Sequence, residues 1–128
     1  MPISRECKYF LAIHFIIGLI FGLIFLFIPD FIYDLLDWED RDPVAIRILG
    51  VAFIGLSSGS LIAAFEDEWK EIRATMEMEV VFLLLGIITL IFCHIFLEFP
   101  ITAWFIDVIM IILLAGFLFF ILKTRSNP

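Results

Sequence analysis

His94 and Glu98 stand four residues apart and so share one helix face, while Asp107 and Arg47 each lie a short way inside an otherwise apolar stretch. A histidine beside a carboxylate can work as an acid–base pair, and an arginine beside an aspartate can form an ion pair that offsets two buried charges. Counting from the prolines that open their stretches puts these groups at one depth. Arg47 follows Pro43 by four residues and Asp107 follows Pro100 by seven, which in a helix sets both within about 6 to 11 Å of the same entry level. Thr102 is close to that level too. An unpaired Asp or Arg deep in a membrane span costs roughly 2.5 to 3.5 kcal/mol on insertion scales, so Arg47 and Asp107 are natural partners. The expectation is a polar cluster of Arg47, Asp107, His94 and Glu98, able to hold a ligand or a partner helix. Two plainer readings stay open: Arg47 snorkels to nearby headgroups, and Glu98 is a water-exposed loop carboxylate. His14 forms a separate candidate, placed to meet Glu79 or Ser60 as a hydrogen-bonded structural histidine.

The elements that must position these groups are membrane helices. Hydrophobic residues make up 63% of the 128, sixteen are Phe, and the mean hydropathy is +1.13, well above an ordinary soluble domain. Four apolar stretches, 9–28, 44–65, 80–97 and 101–122, each approach the roughly 20 residues that a helix needs to cross a ~30 Å hydrocarbon layer. The fold class is therefore all-α, an integral membrane four-helix bundle forming one domain over 1–128. The first stretch is longer than a signal-peptide core and has no A-x-A-like site before Pro29, so it is expected to remain as a span.

Four spans put both termini on one side, together with Arg5, Lys8, Lys70, Arg73, Lys123 and Arg125. Lys and Arg near span ends resist translocation, so that side is expected to be cytoplasmic. The opposite side carries Asp30, Asp34, Asp37, Glu39, Asp40 and Asp42 in one loop. A net charge of −7 offers nothing to a polyanion, which excludes nucleic acid as a partner class and leaves membrane lipids, a partner membrane protein or a second copy. Cys7 and Cys93 fall near opposite ends of the bilayer, too far apart for a disulfide. No C-x-x-C and no close His/Cys group supports a dithiol or metal site, and no cofactor is indicated.

The connections carry clear punctuation. Pro29-Asp30 ends the first span and starts a short interfacial helix, with Asp30 as its cap and Phe31, Ile32, Leu35 and Leu36 on one face. Tyr33 and Trp38 suit headgroup depth, and Asp42-Pro43 caps and opens the second span. Residues 66–80 are charged and lack Pro and Gly, so a continuous helix or tight helical turn is expected there, with Glu68/Arg73 and Lys70/Glu71 as solvated charges. Glu98-Phe99-Pro100 makes the short turn into the last span, and 124–128 is too short to fold.

At 100° per residue, Ala52, Gly55, Gly59 and Ala63 share one face of the second span, a small-residue stripe expected to pack on Gly18 and Gly22 of the first. Arg47, Gly50, Ser57 and Ser58 fall on the opposite, polar face, which predicts a central place for this helix. Pro29 after the first span, a loop, and Arg47-x-x-Gly50 opening a second span rich in small residues resemble the small four-helix membrane proteins of the DoxX-like kind. The resemblance covers mainly the first half of the chain. It implies architecture, with Arg47 and Gly50 as the matched positions, and no reaction, because many such relatives have no assigned activity.

Three function classes follow. The favoured one is an accessory or binding protein holding a lipid-like or quinone-like molecule against the polar cluster. The others are an intramembrane enzyme, with His94 and Asp107 or Glu98 as acid and base, and a small dimeric transporter. No nucleophile or cofactor motif accompanies the His/carboxylate pair, so no residue is assigned as catalytic.

Overall fold

Capping chemistry sets where the helices begin in the computed structural model, which describes residues 1–126. Helix α1 (Arg5–Phe27) starts where the Ser4 hydroxyl accepts the Cys7 N–H at 3.2 Å. Helix α2 (Pro29–Leu35) follows after a single residue, with Pro29 in its first turn. Asp42 starts α3 (Pro43–Ala64) by accepting the N–H groups of Val44 and Ala45 at 3.1 and 3.0 Å, as expected. A Glu68/Glu71 capping box opens α4 (Trp69–Phe96), and a 3-10 turn over Ile101–Ala103 leads into α5 (Trp104–Ser126).

Helices α1, α3, α4 and the segment Ile101–Arg125 are each long and apolar enough to cross a membrane, which makes this a multi-pass membrane protein with an all-α four-helix bundle. The 28 residues of α4 span about 42 Å, more than the hydrocarbon layer needs, and its first turns bear the charges of the 66–80 stretch. That stretch is helical but does not run on from α3: the chain breaks at 65–68 and restarts at Trp69. Its charges stay at the surface, Arg73 pairing with Glu77 at 2.9 Å and Glu68 with Glu71 forming the cap. The last helix also outruns expectation, continuing through Thr124 to Ser126; Asn127 and Pro128 lie outside the described residues.

The N-terminal segment meets the 65–68 turn, and the end of α5 meets the first turns of α4. Trp69 N–H donates to the Met1 carbonyl at 2.8 Å, Ile3 N–H donates to Asp67 at 2.9 Å, and Lys8 pairs with Asp67 at 2.6 Å. Arg125 reaches Glu77 at 3.5 Å. This is the termini end, and α2 marks the opposite one.

Helix α1 packs most closely on α3, and α4 on α5; contacts between the two pairs are sparser. The closest approach is glycine on glycine. A Cβ built on Gly50 would lie 2.7 Å from the Gly22 carbonyl oxygen and 2.9 Å from Leu26 N, and one on Gly22 would lie 2.8 Å from the Gly50 carbonyl. Gly18 faces Ser57 in the same seam. The expected stripe is thus corrected. Gly18 and Gly22 are used, but the α3 face they meet is that of Gly50 and Ser57, and Gly55 has nothing within 4 Å. Gly59 and Ala63 turn instead toward the start of α4, Gly59 against Thr75 and Ala63 in a cluster with Ile72 and Met76. Nor is α3 central, because Val44, Ile48, Val51 and Ile62 leave one face of it more than half exposed.

Two apolar clusters hold the bundle. At the termini end Leu11, Ala63, Ile72, Met76 and Phe117 are fully or almost fully buried where all four long helices converge. At the α2 end Phe25, Ile32, Tyr33, Leu36, Ile46 and Ala103 form the second. The short helix therefore buries Ile32, Tyr33 and Leu36, whereas Phe31 and Leu35 are over half exposed, and Ile28 rather than Asp30 holds its cap position. Asp37, at φ 54°, turns the chain away after α2, and Tyr33 Oη then ties both backbone groups of Asp42 at 3.0 Å.

Candidate functional site

Seven-residue counting placed Asp107 at the right depth, and its partner is histidine. His94 Nε2 lies 2.7 Å from Asp107 Oδ2, with the two side chains 4% and 1% exposed. His94 stands in the last turn of α4 and Asp107 in the first turn of α5, so both helix dipoles favour the charge each residue can carry. Trp104 stacks on the His94 ring, 3.9 Å between centroids and 5° from parallel, and Phe99 meets it edge-on at 4.8 Å. The hydroxyl of Thr102 donates to the Leu36 carbonyl, tying the same corner to α2.

The other two members of the expected cluster stand apart. Arg47 is exposed and donates from Nη1 to the Pro43 carbonyl at 2.9 Å, the snorkelling arrangement, because the Gly22–Gly50 contact fixes the rotation of α3 and turns Arg47 outward. Its proposed pairing with Asp107 is therefore corrected: α5 packs on α4, and Asp107 meets His94. Glu98 is exposed in the turn before Pro100, the loop carboxylate of the plainer reading.

The second histidine has the partners that depth suggested. His14 Nδ1 lies 2.8 Å from Ser60 Oγ, and its Nε2 lies 3.6 Å from Glu79 Oε2. Ser60 and Glu79 are 0% and 1% exposed. Ser60 engages Nδ1, which leaves Nε2 as the ring nitrogen facing the Glu79 carboxyl group. That separation exceeds a normal hydrogen bond, and Glu79 Oε1 is buried with no hydrogen-bond partner among the described residues.

His14 and Glu79 belong to the wall of a cavity of about 440 Å³ between the α1/α3 pair and the α4/α5 pair. Its lining is otherwise almost wholly apolar, and it runs from these two residues to Tyr33, Trp38, Asp40 and Asp42 at the α2 end. Such a volume falls in the range of small-molecule pockets, where a few polar groups orient an otherwise greasy ligand. His94, Asp107, Arg47 and Glu98 do not line it. The cavity is built from aromatic rings whose helical positions carry no chemical signal, such as Phe21, Phe53 and Phe82. Glu79 was legible only as a partner for His14: starting the third span at residue 80 put it at the edge, whereas α4 begins at Trp69 and carries it ten residues inside.

Searches against protein-family models, curated proteins and solved structures found no match.

Proposed function

We propose that this membrane protein binds a lipid-like or quinone-like molecule in the cavity between its two helix pairs. The observation that carries the reading is the 440 Å³ apolar space ending at His14 and Glu79, a polar terminus that an amphiphile's head could use while its tail lies along the Phe and Leu walls. This moves the proposed ligand from the His94–Asp107 corner, which joins α4 to α5, to the cavity itself. Leu56 lines the space from α3. Native mass spectrometry of protein offered a decyl-substituted benzoquinone should show one retained equivalent on the wild type and much less on Leu56→Trp, whose bulkier indole narrows the space. Equal retention by both proteins, or retention by neither, overturns the reading.

The same proposal places the termini in the cytoplasm, supported by the six Lys and Arg residues of the termini end and the acidic loop at the other. A cysteine introduced at Asp40 should react with an impermeant maleimide on intact cells, and one at Lys70 only after the membrane is opened. The reverse pattern inverts the topology. The likeness to DoxX-like proteins belongs to this proposal as a statement about architecture, resting on Pro29 and Arg47-x-x-Gly50 in the sequence.

A further inference from the structure

Resting on the cavity reading above, we infer that the preferred occupant is a lipophilic cation, an apolar body bearing an ammonium-type head, rather than a neutral or anionic amphiphile.

Three observations converge. The charge-bearing residues of the lining are His14, Asp40, Asp42 and Glu79, and among the described lining residues none is Lys or Arg. An anionic headgroup would meet carboxylates at both ends of the space with no fixed positive charge to receive it. A cation meets attraction at both.

Glu79 supplies the second. Its side chain lies in the cavity wall, 1% exposed to solvent, and its Oε1 has no hydrogen-bond partner among the described residues, while the nearest charge-capable neighbour, His14, is 3.6 Å from the other oxygen. The remaining ring nitrogen of His14 is engaged by Ser60. A carboxylate in a low-dielectric wall with an unmet acceptor favours a donor or a positive charge brought by a ligand.

The third is the wall itself. Phe21, Phe53 and Phe82 line the space, with Phe25, Trp38 and Phe99 toward the α2 end, and aromatic rings attract cations through their faces, most strongly where water is excluded. Asp40 and Asp42 at the α2 end would gather cations at the mouth, and Glu79 would hold the head at the far end.

The test uses three dansyl probes that differ only at the tip of a short alkyl arm: trimethylammonium, its uncharged isostere tert-butyl, and sulfonate. Binding is read by fluorescence in lipid nanodiscs, with protein-free discs subtracted. The cationic probe should bind about ten-fold more tightly than the tert-butyl probe, with sulfonate weakest. Glu79→Gln should remove most of that preference and leave tert-butyl affinity unchanged. Equal affinity for the cationic and uncharged probes overturns the cation assignment while leaving the cavity reading intact. Saturable binding of none of the three overturns the cavity reading itself. A wild-type preference that survives Glu79→Gln takes Glu79 out of the assignment. If that variant does not fold, the wild-type ranking decides alone, with Asp40→Asn, at an exposed position, lowering only the cationic probe's affinity.

Discussion

Gly50→Val should leave little folded protein in mild detergent, whereas Gly55→Val on the same helix should behave as wild type. The contrast follows from what each new side chain meets. At Gly50 a Cβ alone falls 2.7 Å from the Gly22 carbonyl and 2.9 Å from Leu26 N, backbone atoms that cannot rotate away, so α1 and α3 must separate. Overpacking a tight contact typically costs about 1–3 kcal/mol and occasionally more; here the contact is between helix backbones, where van der Waals packing drives membrane helix association, so the upper end is expected. At Gly55 there is nothing within 4 Å. The measurement is the fraction of monodisperse protein on size exclusion, with the thermal midpoint of what remains. Equal damage from both substitutions would mean that α3 packs through the Ala52–Gly55 face instead.

The second large effect belongs to the His94–Asp107 pair. Asp107→Leu should destabilise by about 3 kcal/mol, the low end for breaking a buried ionisable pair, because it strands the His94 ring between Trp104 and Phe99 without its partner. Adding His94→Leu should recover at least half of that loss, since two apolar residues leave no unpaired polar group. Arg47→Gln, by contrast, should change stability by less than about 0.5 kcal/mol, as expected for an exposed side chain bonded only to its own helix. Thermal unfolding of the wild type, Asp107→Leu, His94→Leu and the double variant closes the cycle, with Arg47→Gln measured beside them. If the double variant is no better than Asp107→Leu alone, the pair is not the source of the coupling between α4 and α5.

Residues the sequence reading grouped by depth were grouped correctly only along the membrane normal. Arg47, His94 and Asp107 all lie toward the α2 end, and His14, Ser60 and Glu79 do share a level, because rise per residue is set by helix geometry alone. Which of them touch depends on rotation about each helix axis and on which helices are neighbours. The rotation of α3 is set where Gly50 meets Gly22, a contact made by the face that reads as polar from sequence. Small polar side chains can satisfy themselves in place, as Ser57 does on the Ile54 carbonyl at 3.3 Å and Ser58 on Gly55 at 2.6 Å, so polarity did not mark the surface facing other polar groups.

By itself, then, the sequence determined the four spans, the Asp42 cap with Pro43 behind it, the short helix after Pro29 and the partners of His14. All follow from local chemistry, from length against bilayer thickness and from distance along a helix. The tertiary structure alone decided that the helices assemble as two close pairs, that Asp107 takes His94 in place of Arg47, and that a cavity opens with Glu79 in its wall. The physical reason is that lipid tails are as apolar as the helix surfaces they cover, so hydrophobicity places helices in the membrane without choosing their neighbours. That choice falls to the close fit of small residues and the need to satisfy each buried polar group, which are properties of pairs of helices.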